Sequence, residues 1–117
     1  MNKPFVIRYV DGEERFSIDD IEAHGIKAEF RDFAENIESL SVSGGKTDLA
    51  IHDDKLEAVT VESHPPTDVD IVVYSGSWGQ ETLRCHDTIV IPPNCDHAAE
   101  NISDLPVWLL ITNFTME

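Results

Sequence analysis

The sequence predicts an all-β fold of eight or nine short strands, a sandwich or a barrel, with one short helix near the N-terminus. Three observations lead there. Several segments alternate apolar and polar residues with period two, as a half-buried strand does. Others are short runs of β-branched and aromatic residues, which suit a pleated surface. Turn signals rich in Gly, Pro and Asp separate these segments at near-regular spacing. Periodicity alone does not choose between sandwich and barrel.

Residues 5–10 open the chain as a strand, and Asp11-Gly12 closes it with a turn. Ser17 caps a two-turn helix over residues 18–24, Asp19 and Asp20 suit the positive end of its dipole, and Gly25 stops it. Ile26, Ala28 and Phe30 then alternate with Lys27, Glu29 and Arg31 in a strand. A further strand over 37–42 is joined to a return strand over 47–51 by Ser43-Gly44-Gly45-Lys46, whose glycines supply the positive φ of a tight hairpin. His52-Asp53-Asp54-Lys55 marks a turn, Val59 and Val61 alternate with Thr60 and Glu62, and Pro65-Pro66 ends that strand. Residues 71–74, 83–84, 88–91 and 107–112 complete the set.

A chain of 117 residues is one domain's worth and can bury a core without disulfides. The expectation is therefore a single domain over 1–117. With 23 acidic against 8 basic residues the net charge is -15, a field that repels phosphate backbones and anionic lipid alike, so neither nucleic acid nor membrane is expected as a partner. No apolar run suits a signal peptide or a membrane span, which predicts a cytoplasmic protein in which Cys85 and Cys95 are reduced thiols. Phosphate loops, nucleophile elbows and basic aromatic patches are missing from the sequence, so nucleotide binding and serine hydrolysis have no support.

The segment Pro92-Pro93-Asn94-Cys95-Asp96-His97-Ala98-Ala99-Glu100-Asn101 follows the pattern proline, any, glycine, two of any, histidine, three of any, asparagine, with Asn94 in place of glycine. Asparagine is the next best residue for a left-handed turn. Upstream, Cys85-His86-Asp87-Thr88 has the form of a Gly-Asp turn leading into a strand, with His86 in place of glycine. This stretch resembles the second conserved block of the cupin family. The resemblance extends over about 56–112 and implies a small RmlC-like jelly-roll barrel, a double-stranded β-helix, with His97 turned into its interior.

In cupins the first block supplies two histidines and a glutamate to the same metal. Aligned through Gly76, it sets Glu62 on the first histidine, His64 on the second and Val69 on the glutamate, with Asp70 one residue away as a replacement acid. The candidate metal residues are accordingly His97, His64, Glu62 and Asp70. The resemblance implies either one divalent transition metal (iron, manganese, nickel or zinc) or none, because two of three first-block positions depart from the family. Two function classes follow. One is a barrel that binds a small organic ligand, with Phe30, Phe33, Tyr74, Trp78 and Trp108 available to line its cavity. The other is a metal-dependent dioxygenase, isomerase or lyase, since two histidines and a carboxylate are a minimal set for non-haem iron. A homodimer formed through outer strands is expected.

Cys85-His86 and Cys95-Asp96-His97 also offer two thiolates and two imidazoles. A strand between them puts the cysteines roughly 20 Å apart by strand rise, too far for one tetrahedral ion. His24 and His52 have no motif around them and read as surface residues.

Overall fold

The computed structural model describes residues 3–10, 30–40 and 45–116. Among them are eight strands and no helix: β1 (Phe5–Ile7), β2 (Phe30–Leu40), β3 (Lys55–Ser63), β4 (Asp70–Gly76), β5 (Gly79–Arg84), β6 (Thr88–Ile91), β7 (Ala98–Asn101) and β8 (Val107–Met116). The helix expected over 18–24, the Asp11-Gly12 turn and the strand start at Ile26 lie outside the described residues.

The strands form a five-stranded sheet in the order β1-β6-β3-β8-β2 and a three-stranded sheet in the order β5-β4-β7. Every pairing is antiparallel. Only β4 and β5 are neighbours in both sequence and sheet, so the chain crosses repeatedly between the sheets, as a jelly roll does. The main core lies between them: Val59 and Val61 of β3 meet Ile71, Val72 and Tyr74 of β4, with Leu83, Ile89, Leu109 and Ile111 around them. Residues Leu56 and Ala58, of the opposite parity on β3, pack outward with Val90 and Phe114 beneath Phe5 and Ile7. Thus β3 is buried on both faces, and each fully buried aliphatic side chain contributes about 1.5–3 kcal/mol.

Among the described residues, 37–40 and 47–51 do not pair as the expected hairpin requires. β2 runs unbroken to Leu40 and pairs with β8. Residues 45–50 instead lie antiparallel to β7: Thr47 N donates to Ala99 O (2.9 Å), Ala50 N to His97 O (2.9 Å), His97 N to Ala50 O (2.8 Å) and Asn101 N to Gly45 O (2.9 Å). The segment thereby continues the smaller sheet past β7. Its apolar residues face outward, with Leu49 69% and Ile51 60% exposed.

β5 is longer than its apolar residues suggest because it is the outer strand of the small sheet, where Gly79 and Gln80 stay exposed. Its hairpin with β4 closes over Ser77-Trp78 and is bound to the chain just before β7. Ser77 donates to the Asp96 carboxylate through its amide (2.8 Å) and its hydroxyl, and Trp78 Nε1 donates to Asp96 O (2.6 Å). At the far end of β7, the fully buried Asn101 donates to Leu105 O (2.9 Å) and accepts from the amide (2.9 Å) and hydroxyl (2.7 Å) of Ser103, fixing the turn into β8.

Gly76 fits this junction for a steric reason. A Cβ there would overlap the Asp96 carbonyl oxygen, a backbone atom that cannot swing aside. Gly76→Ala is expected to destabilise the protein by about 1–3 kcal/mol, the usual cost of overpacking, measured by urea unfolding. An unchanged midpoint would show that the hairpin and the Asp96 loop are not in contact.

Candidate metal centre

The β6–β7 turn is the piece of local structure that the site depends on. Asn94 takes φ 65°, the left-handed conformation that the proline-asparagine pattern calls for. Its amide donates to His52 O (2.6 Å), and the ladder between Ala50 and His97 follows. Two separate parts of the chain are therefore held together, and they carry His52 and His97. Glu57 comes from β3 in the facing sheet.

His52, Glu57 and His97 present their ligand atoms within 4.8 Å of one another. The Glu57 carboxylate lies between the two imidazoles, with Oε1 2.7 Å from His52 Nε2 and Oε2 3.5 Å from His97 Nε2. Glu57 and His97 are buried, and the ring of His52 is the open side of the group. His97 Nδ1–H donates to Cys95 O (3.0 Å), which orients the ring and directs Nε2 at Glu57. Tyr74 flanks His97 with ring centroids 6.4 Å apart.

Burial pushes the Glu57 carboxyl up, but the hydrogen bond and charge of His97, with His52 and Lys55 behind it, outweigh burial and hold it below its ordinary value. Burial pulls the His97 imidazole down, and the hydrogen bonds to Glu57 and Cys95 O together with the charges of Glu57 and Asp96 raise it above its ordinary value. Two imidazoles and one carboxylate converging on a common point, with one ring nitrogen braced from behind, form a donor set suited to a divalent transition metal. The fit is a matter of donor chemistry: a cation would stand where the contacts of Glu57 with the two histidines converge.

The structure distributes the sequence-predicted residues differently. His97 joins His52 and Glu57. Glu62 joins Cys85 and His86 at the other end of β3. His64, just after β3, is exposed, and exposed Asp70 pairs with Arg84 (3.7 Å). His52, read above as a surface residue, turns its ring into the group instead. Cys95 belongs to neither group; burial and the Asp96 charge push its thiol up, so it stays protonated at neutral pH.

A signal for His52 and Glu57 was present. The spacing used to align the first block through His64 and Gly76 fits equally well twelve residues earlier (64 minus 52), where Ala50 and His52 fall on the two histidines and Glu57 on the glutamate. His64 then falls on the glycine.

The Glu57–His97 pair sets a pH dependence in the metal-free protein. The raised His97 contributes stability below its ordinary value of about 6.5, lost as pH rises through its folded value. The lowered Glu57 contributes stability above about 4.5, lost as pH falls through its folded value. The difference in melting temperature between wild type and Glu57→Gln should thus be largest between about pH 4.5 and 6.5 and shrink on either side. In an NMR titration His97 should titrate above the ordinary histidine value in wild type and shift down in Glu57→Gln. An unmoved His97 would refute the pairing.

No family model matches the sequence, and no curated protein matches it. Solved structures do. The Schizosaccharomyces pombe Cnp3 cupin domain is similar with TM-score 0.61 at 11% identity, covering 77% of this chain and 59% of that one. A predicted oxalate decarboxylase from Thermotoga maritima is similar with TM-score 0.56 at 14% identity, covering 97% of this chain and 93% of that one. RmlC from Streptococcus suis, in complex with dTDP-D-xylose, is similar with TM-score 0.55 at 15% identity, covering 86% of this chain and 55% of that one. The chain thus spans less than two thirds of the Cnp3 domain structure and of RmlC. With its two antiparallel sheets, its crossing connections and these likenesses, the chain has the cupin fold of the RmlC-like kind.

Proposed function

We propose that this chain is a metal-holding cupin barrel that binds a small organic ligand at the metal. The observation that carries it is the convergence of His52, Glu57 and His97 from three separate segments, inside a fold whose solved examples include a sugar-nucleotide complex and a predicted oxalate decarboxylase. His52 Nε2, a Glu57 oxygen and His97 Nε2 would hold the ion. Three protein ligands leave coordination positions free, and the half-open His52 side is the approach for a ligand with an oxygen donor. When bound, such an ion would supply Lewis acidity toward that donor. The chain's own groups fix the ion's position through the Cys95 O brace on His97, and Glu57 supplies the negative charge that offsets the ion's.

The free positions also support a second reading, a metal-dependent enzyme of the dioxygenase, isomerase or lyase kind. In either case we place the protein in the cytoplasm as a homodimer. The acidic surface disfavours nucleic acid and anionic membranes as partners.

Manganese tests the reading because it prefers nitrogen and oxygen donors and disfavours thiolate. Chelator-stripped protein should bind one Mn²⁺. Loss of a group that only hydrogen-bonds to a metal ligand costs about 10–100-fold in metal affinity, so removing a direct ligand in Glu57→Ala, His52→Ala or His97→Ala should cost at least ~100-fold. Affinity should also fall with pH below the His97 titration, because the proton and the ion compete for Nε2. Water-proton relaxation by the bound ion should be enhanced and should drop when oxalate, used as a probe ligand, displaces water. Full-strength Mn²⁺ binding in Glu57→Ala would overturn this assignment.

A further inference from the structure

A second set of metal-ligating side chains occupies the opposite end of β3. Glu57 and Glu62 are five residues apart, which separates the two groups by about 17 Å along the strand. There Glu62, Cys85 and His86 bring a carboxylate oxygen, a thiol sulfur and an imidazole nitrogen within 4.8 Å of one another. Cys85 Sγ lies 3.4 Å from Glu62 Oε2 and 3.7 Å from each ring nitrogen of His86, and His86 Nδ1 contacts the same Glu62 oxygen.

These separations are close to those of ligands around one ion. With metal–sulfur near 2.3 Å and metal–nitrogen or –oxygen near 2.0–2.1 Å, tetrahedral neighbours sit ~3.3–3.5 Å apart. Of these three, the Glu62–His86 contact must open, and it is the one where a cation would come between the two groups. The Ser63 amide also donates to Cys85 Sγ (3.4 Å), which fixes the sulfur in place.

Two further features point to the same place. Cys85 and His86 line a cavity of about 860 Å³ that also meets Tyr9, Asp70 and Arg84, so a fourth coordination position would face open space. His86 has φ 79°, the left-handed region where the resembling Gly-Asp turn carries glycine. A histidine in this conformation is strained, yet here its ring reaches Glu62 and Cys85, and Tyr9 holds it edge-on at 4.9 Å between centroids.

We propose that Glu62, Cys85 and His86 form a second metal site that takes a thiophilic divalent ion, Zn²⁺, with its fourth position open to the cavity. Binding releases the Cys85 thiol proton to solvent and places the ion among one sulfur, one nitrogen and one oxygen donor. The site stands independently of the His52, Glu57 and His97 group, which contains no sulfur.

Cobalt separates the two, because only a thiolate ligand gives a sulfur-to-cobalt charge-transfer band. The reduced, chelator-stripped full chain should develop that band with one equivalent of Co²⁺, and Zn²⁺ should bleach it. Cys85→Ser should abolish the band and lower the zinc stoichiometry by one, whereas Cys95→Ser and His97→Ala should keep the band. His86→Gly suits the backbone and should fold with an unchanged or higher melting temperature, yet weaken Co²⁺ binding at this site at least tenfold; it carries the test if Cys85→Ser does not fold. Absence of the band, its loss in Cys95→Ser, or unchanged affinity in His86→Gly would each overturn the proposal.

Discussion

His97 is placed by a five-residue turn held from two directions. On one side the Asp96 carboxylate and carbonyl take hydrogen bonds from Ser77 and Trp78. On the other, Asn94 N bonds to His52 O, and the backbone ladder between residues 45–50 and β7 continues the connection. Any shift of the turn would break bonds to both the β4–β5 hairpin and the strand-like segment that carries His52. Buried backbone groups rarely remain unpaired, so these bonds constrain where the chain lies. The convergence of His52, Glu57 and His97 depends on that constraint.

The second conserved block was legible because its pattern reports backbone geometry as well as chemistry. A positive φ at Asn94, a reversal and a histidine at a fixed distance beyond it are consequences of short-range sterics, and these three appear together. Strand existence was legible for the same reason, since β3, β4, β6 and β8 carry the period-two or continuous apolar patterns of buried sheet. Strand partnership was not. Two glycines after residue 42 suggested a local hairpin, and the actual partner of residues 45–50 lies about fifty positions away, a pairing that no local propensity encodes.

The first block shows the limit most clearly. Residues 49–52 alternate Leu, Ala, Ile, His, and the rule that apolar residues face the core would turn Leu49 and Ile51 inward. The structure exposes both and turns His52 into the ligand group. Hydrophobic patterning misleads where the inward face carries a polar cluster, because hydrogen-bonded groups then stand where a core has none. The alignment through Gly76 attached its ligands to the next strand boundary, and the true glycine requirement at Gly76 comes from its close approach to Asp96 O.

Ala50 points to a different property of the same strand. It stands two residues before His52 on the same side, at the position the first block reserves for its other histidine, and it contributes a methyl group where a fourth donor would stand. In the proposed reading, a shell with one fewer protein atom would give more of the ion's valence to exchangeable partners. A barrel with three donors would thus trade retention of a metal for readiness to accept a guest.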